Sequence, residues 1–144
     1  MDRINNILDY IPQRPPFVMI DALIEINNQS TVSSFKIADD NLFVENGEFF
    51  EGGIIENMAQ SVAAGAGYRL RYDENSDPKI GVIGTIKNLF IHKRPAVGNS
   101  IQTTIDMISS YENAMVVQCT VRENGITIAG CQMNIFVIEN PNNL

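Results

Sequence analysis

Glu56 is the side chain best placed in this sequence for acid–base chemistry. It stands in the first turns of a segment of helical periodicity whose other residues are mostly apolar or small, with Gln60 one turn later on the same face. A carboxyl in such surroundings can donate or accept a proton if burial lifts its pKa from about 4.3 toward neutrality. A Glu at that place also complements the positive end of the helix dipole, and that plainer reading stands beside the chemical one. Gly52 and Gly53 directly precede the predicted helix. Backbone N–H groups are unpaired there and can hold the negative oxygen that develops on a carbonyl under attack. A simple turn into the helix would use the same two glycines.

The other reactive residue types lack partners. His92 is the only histidine and sits at the end of a predicted strand before a proline, where a surface or edge role competes with catalysis. Ser61, Ser109 and Ser110 have no base placed beside them, so a Ser-His-acid triad has little support. Lys93 and Arg94 make a small basic spot on an acidic chain, either solvated charge or a docking point for an acidic partner. Cys119 and Cys131 form no C-x-x-C pair and have no histidines at metal-ligand spacing, which offers neither a zinc site nor a disulfide framework. No metal and no cofactor is called for.

The elements that position these residues follow from periodicity. Ile4, Ile7 and Leu8 predict a short opening helix, ended by Pro12, Pro15 and Pro16. Residues 17–26 and 30–37, separated by Asn27-Asn28, read as a hairpin, and a polar loop follows from Asp39 to Gly53. The segment from Ile54 to about Tyr72 is the one long helical pattern, with Ile55, Met58, Ala59, Val62, Ala66 and Leu70 near i, i+3, i+4 spacing. Gly65 and Gly67 lie inside it; each interior glycine costs roughly 1 kcal/mol against alanine, so something must approach the backbone closely there. After a turn at residues 73–78 come β segments over 79–92, 101–109 and 114–138, the last folded on itself at Glu123-Asn124-Gly125, a strong hairpin signal. Two strands, one long helix, then four strands predict an α+β fold with an antiparallel sheet.

Composition narrows the function classes. The chain has 144 residues, 44% hydrophobic and 19% charged, which predicts a single folded domain over residues 1–144 rather than a disordered chain. A net charge of −7 argues against nucleic acid as a partner, because phosphate neutralisation needs clustered Lys and Arg. The charged start is unlike a signal peptide, and no apolar run reaches the roughly 18 residues of a membrane span. The expected location is the cytoplasm.

Three stretches together resemble the β-hydroxyacyl-acyl-carrier-protein dehydratases. The first is Pro12, Arg14, Pro16 and Phe17, followed by an apolar strand with Asp21, similar to the family's P-x-R-x-P-F opening. The second is Glu56, Ala59 and Gln60 followed by small residues, similar to the family's central-helix E-x-x-A-Q. The third is Arg94, Pro95 and Gly98 before a strand. The resemblance implies the hotdog fold, a curved antiparallel sheet wrapped around one long helix and usually paired as a dimer. It also implies elimination of water from a 3-hydroxyacyl thioester. A histidine takes the α proton there, and the helix carboxyl, here Glu56, protonates the departing hydroxyl.

The family histidine stands in a G-H-F-P-G loop before the helix, and this chain has no histidine there; matching the aromatic pair places Asn46, with Gly47 as the alternative, at that position. Asn takes no proton. Three readings follow. In the first, the chain is a dehydratase-like subunit in fatty-acid or polyketide- and polyene-type biosynthesis, acting on a carrier-protein or CoA thioester. It works with a histidine-bearing relative or with another base. In the second it is a hotdog thioesterase, and in the third a non-catalytic subunit that binds acyl chains or a carrier. The expected site is Glu56 as acid, Gly53 N–H, with Gly52, as carbonyl donor, Gln60 supporting the carboxyl, Asn46 at the histidine position, and Lys93 and Arg94 facing the carrier. The partner is a second copy or a related hotdog subunit. Phe49, Phe50 and Phe90 are candidates for a tunnel wall or for plain core.

Overall fold

A computed structural model describes residues 1–71 and 80–138. The chain opens with a 3-10 turn over Ile7–Asp9, then β1 (Ala22–Ile26) and β2 (Ser30–Lys36), a small hairpin of β3 (Val44–Glu45) and β4 (Glu48–Phe49), and helix α1 (Glu51–Arg71). Four strands follow: β5 (Ile80–Ile91), β6 (Ser100–Tyr111), β7 (Ala114–Glu123) and β8 (Ile126–Ile138). Six of them form one sheet in the order β1-β2-β6-β7-β8-β5, every neighbouring pair antiparallel, and α1 packs across it. This is the α+β antiparallel arrangement expected from the element order and the hotdog fold that the resemblance implies.

Curvature is built in by irregularities in the ladders. Register shifts occur in β1 between Leu23 and Glu25, in β6 between Met107 and Ser109, and twice in β5, between Ile83 and Thr85 and between Lys87 and Phe90. An extra residue on one strand bends and twists it, and several in succession wrap the sheet around a helix. Asn88, inside the second β5 irregularity, has a φ of +55°, which an Asn tolerates better than a branched residue.

Inside the wrap lie Ile54 and Met58 of the helix against Phe35, Phe49, Ile101, Val117, Cys119, Cys131, Met133 and Ile135. The small residues of α1 are where other chain comes closest: a Cβ on Gly65 would strike the Thr31 side chain, and one on Gly67 would lie 2.5 Å from the Tyr10 carbonyl oxygen. Those approaches offset the propensity cost of the two glycines.

Several boundaries differ from expectation. The opening helix is a single 3-10 turn; Ile4 lies outside it and bridges Leu23 in β1, covering that sheet edge. β1 begins at Ala22 rather than Phe17, because Phe17 and Met19 are held by side chains of the helix instead of by a ladder. The helix starts at Glu51, so Gly52 and Gly53 form its first turn and do not precede it. The expected turn at residues 73–78 and the helix end at Tyr72 lie outside the described residues. The Asn124-Gly125 hairpin is present, with φ of +52° and +78°.

Candidate functional site

Gln60 organises the surroundings of Glu56. It is fully buried, and its Oε1 accepts the backbone N–H of Met19 at 2.7 Å. That bond decides which way the amide points, since an N–H cannot be received by the NH₂ end. The Nε2 group is therefore turned to its two acceptors, the Phe17 carbonyl at 2.8 Å and Glu56 Oε1 at 2.9 Å. Glu56 is half-buried, and its Oε2 has no hydrogen-bond partner among the described residues. One carboxylate oxygen is thus fixed while the other is open.

Asn57, one residue on, was not among the residues singled out from sequence. It is completely buried; its Nδ2 donates to the Met19 carbonyl at 2.7 Å, and its Oδ1 accepts from Thr103 Oγ1. Ser61 Oγ donates to the Asn57 carbonyl at 2.7 Å and lies 2.6 Å from Ser33 Oγ, so Ser61 is a structural hydroxyl and not a nucleophile beside a base. The available signal was a polar residue beside the apolar positions Ile54 and Met58 of the helix, a place that requires a satisfied partner set.

At the start of the helix, the Gly53 N–H donates to the Phe50 carbonyl at 3.0 Å, which corrects its expected role as a free donor. Gly53 is a glycine for another reason: a Cβ there would overlap the Phe49 ring and the Phe43 Cβ. The Gly52 N–H has no hydrogen-bond partner among the described residues. Glu51 receives Arg94 through Nη2 at 2.8 Å and Nε at 3.0 Å. A hydrogen bond from its own backbone and then the Arg94 guanidinium hold its carboxyl below the ordinary range.

The basic spot is two ion pairs. Lys93 Nζ lies 2.6 Å from Glu123 Oε1, whose other oxygen accepts from Asn99 Nδ2 at 3.2 Å; Arg94 is the partner of Glu51. Glu123 is buried, and the Lys93 hydrogen bond outweighs desolvation and keeps its carboxyl below the ordinary range. Both cations remain partly exposed.

With φ of +54° at Asn46 and +76° at Gly47, the two form the tight turn between β3 and β4, exposed at its tip. The hairpin is tied to residues 95–97 by Phe49 N–H to the Pro95 carbonyl at 2.8 Å and Val97 N–H to the Gly47 carbonyl at 2.9 Å. No hydrogen bond connects Asn46 to Glu56 or Gln60 among the described residues. His92 is exposed at the end of β5 with its ring 4.8 Å from Phe90. Phe49 belongs to the core, and Phe50 packs edge-on against Phe43.

Two further features lie apart from these hydrogen bonds. Cys119 and Cys131 face each other across β7 and β8, and Cys131 Sγ is 3.8 Å from Met58 Sδ; a hydrogen bond with Cys131 and burial push the Cys119 thiol far above its usual range. The β5 edge leaves Val82, Ile83, Ile86 and Leu89 exposed, beside Phe136 of β8. Among the described residues no helix is long and apolar enough to cross a membrane, and no three His, Cys, Asp or Glu side chains converge as a metal site.

Comparison with known proteins agrees with this architecture. A family model described as ApeP-like, ApeP dehydratase, matches residues 5–144. Among solved structures, the dehydratase heterocomplex ApeI:P from Xenorhabdus doucetiae superposes with a TM-score of 0.83 at 15% identity, covering 94% of this chain and 92% of that one. A protein, smu.793, from Streptococcus mutans UA159, bound to acetyl CoA, gives 0.67 at 13% identity over 91% of this chain and 98% of that one. An uncharacterised protein, PH1136, from Pyrococcus horikoshii gives 0.71 at 14% identity over 92% and 93%.

Proposed function

The chain belongs to the ApeP-like dehydratase family, and from that premise we propose that it eliminates water from a 3-hydroxyacyl thioester carried on an acyl carrier protein. Glu56 is the acid in this reading. A base removes the α proton, the C–O bond breaks as Glu56 gives its proton to the leaving hydroxyl, and an enoyl thioester and water depart. Solvent then returns the proton from base to carboxylate.

The observation that carries the proposal is the placing of Glu56: Gln60, itself locked by Met19 and Phe17, holds one carboxylate oxygen and leaves the other open. The base comes from a histidine-bearing hotdog subunit paired with this one. This chain's single histidine lies at the exposed end of β5, and Asn46 is in a hairpin tip. A similar protein is itself a dehydratase heterocomplex, which supports a two-subunit arrangement. The thioester oxygen is held by the Gly52 N–H, the acyl chain runs along the exposed apolar residues Ile83 and Ile86, and Lys93 and Arg94 meet the acidic carrier by exchanging their present carboxylate partners. Fatty-acid or polyketide- and polyene-type biosynthesis in the cytoplasm is the setting that uses such a reaction.

The test is turnover of a carrier-bound 3-hydroxyacyl thioester, following enoyl product and free thiol, by the chain alone, by a histidine-bearing hotdog dehydratase, and by their mixture. Enoyl product that rises on mixing and falls at least 100-fold with Glu56→Gln is expected, the size general acid catalysis supplies. Turnover unaltered by Glu56→Gln overturns the role of Glu56. Free thiol would make the protein a thioesterase, and no effect on mixing a non-catalytic subunit.

A further inference from the structure

The turn that leads into Phe17 carries polar groups that the hydrogen bonds around Glu56 do not use. Arg14 is exposed, and its Nη1 donates to the Ile11 carbonyl at 2.8 Å and to the Gln13 carbonyl at 2.7 Å. Those two bonds fix the plane of the guanidinium. Its other edge, Nε and Nη2, has no hydrogen-bond partner among the described residues. The same edge holds Glu51 in Arg94 and the Asn27 carbonyl in Arg69. Two parallel N–H groups on one edge form the fork that receives two oxygens of a carboxylate or a phosphate. Arg14 thus presents an oriented fork to solvent.

The turn is closed by the Phe17 N–H, which donates to the Arg14 carbonyl at 2.9 Å, and Phe17 itself is 57% exposed. The Phe17 carbonyl accepts from the same Gln60 Nε2 that donates to Glu56 Oε1, so the two oxygens lie within about 6 Å of each other. Arg14, Phe17 and Glu56 are therefore joined through groups that are all held. Next to Arg14, Gln13 Oε1 is closed off from water and has no hydrogen-bond partner among the described residues. An acceptor in that state costs stability until a donor reaches it. The carboxylates close to this turn are engaged elsewhere. Asp9 accepts from Asn6 Nδ2 at 2.8 Å and pairs with Arg71 at 3.7 Å, and Asp21 accepts the Lys36 N–H at 2.7 Å. Both line a cavity with Pro15 and Val18, and neither Arg14 nor Phe17 belongs to its wall.

A ligand that suits these groups has an anion, a branched apolar carbon beside it, and a hydrogen-bond donor next along. The pantetheine arm that bears acyl thioesters has its groups in that order: a phosphate, a carbon with two methyls, an alcohol, two amides and, at the far end, the sulfur. With a net charge of −7 the chain has no general attraction for anions, so a phosphate contact must be local.

We propose that the turn of Gln13, Arg14 and Phe17 holds the phosphate end of this arm. Arg14 binds the phosphate through Nε and Nη2, the Phe17 ring packs on the two methyls, and Gln13 Oε1, turned outward about its last torsion, accepts from the alcohol. The thioester end is then directed at Glu56. This rests on the acyl-thioester reading above and adds to it the residues that grip the arm.

The test reads binding rather than turnover, so it can fail independently of the dehydratase reading. 4′-Phosphopantetheine and pantetheine, which differ only by the phosphate, are titrated into the full chain and followed by backbone amide NMR shifts at low salt. The wild type should bind phosphopantetheine about five- to ten-fold more tightly, the size of an exposed two-pronged Arg–phosphate contact, and the difference should shrink near 1 M salt. Arg14→Gln should bind both probes equally and pantetheine as well as the wild type does. Phe17→Ala and Gln13→Ala should each weaken both probes by a common factor of at least about two. Equal affinities in the wild type, or a preference kept by Arg14→Gln, overturn the role of Arg14. Unchanged affinity in Phe17→Ala or Gln13→Ala removes that residue from the site, and no binding of either probe at millimolar concentration overturns the site itself. Holo-carrier protein and coenzyme A, which both present this end of the arm, should both lose affinity in Arg14→Gln. A carrier as the source predicts that Lys93→Gln weakens holo-carrier and leaves coenzyme A unchanged; tighter binding of coenzyme A, untouched by Lys93→Gln, overturns the carrier as the source.

Discussion

Replacing Gln60 with methionine keeps the volume and apolar fit of the side chain and removes all three of its hydrogen bonds. Two backbone groups lose their partners. The Met19 N–H is buried and stays dry, so its loss is counted at about 1–3 kcal/mol, while the Phe17 carbonyl is nearer the surface and is counted below about 1 kcal/mol. The thioether is better buried than an amide, which returns part of this, and the sum is a destabilisation of about 1–3 kcal/mol. For a chain of this length it corresponds to a melting temperature lower by roughly 3–12 °C. Urea unfolding at constant m-value gives the free energy, and hydrogen exchange of the Met19 amide reports the local bond directly. Glu56→Gln is the control: the half-exposed carboxyl has one protein partner, and an amide oxygen can accept the same proton, so its cost should stay within about 0.5 kcal/mol. A Gln60→Met loss below 1 kcal/mol, with Met19 protection unchanged, would refute the reasoning that Gln60 fastens residues 17–19 to the helix.

Two other outcomes follow from the same geometry. Asn46→His restores a histidine at the position matched to the family loop, yet places it on an exposed hairpin tip at positive φ; the chain alone should gain no enoyl-forming activity and lose up to about 1 kcal/mol of stability, and measurable dehydration by that single variant would bring the tip into the site. Glu123→Gln removes a carboxyl held below its ordinary 4.5 by Lys93 and Asn99. A depressed carboxyl adds stability above its unfolded value and loses it as pH falls through the folded one, so the wild-type advantage in urea midpoint should be full at pH 7 and shrink below about pH 4.5. An advantage equal at both pH values would show that the pair does not contribute through charge.

The parts of the fold that were legible in the sequence are those decided by nearby residues. The helical spacing from Ile55 to Leu70, the Asn124-Gly125 turn and the small residues of the helix each describe local chain or demand a close neighbour, and Gly65 and Gly67 have theirs in Thr31 and Tyr10. Asn46-Gly47 carries the same turn signal as Asn124-Gly125 but reads as part of a long polar loop, because its strands are only two residues each and show no alternation. The true start of the helix is hidden by Gly52 and Gly53, poor helix formers that are glycine because the Phe43 and Phe49 side chains leave no room for a Cβ at Gly53 and little at Gly52. Lys93 and Arg94 read as a free basic spot because their partners Glu123 and Glu51 are 30 and 43 residues away in the chain. The strand order, in which β5 pairs with β8 and not with β6, depends on such long-range closure throughout.

Holding a carboxyl at the edge of a helix makes two demands that conflict: burial stiffens the side chain but removes the water it needs for proton exchange. Here the conflict is divided between neighbours. Gln60 and Asn57 are buried completely and take up both Met19 backbone groups and the Phe17 carbonyl, so rigidity resides in two neutral amides that carry no charge into the core. Glu56 then needs only one bond to be oriented and keeps one oxygen free. Charge is thereby kept off the core while two neutral amides carry the packing, which is why Gln60→Met is expected to cost stability and Glu56→Gln little.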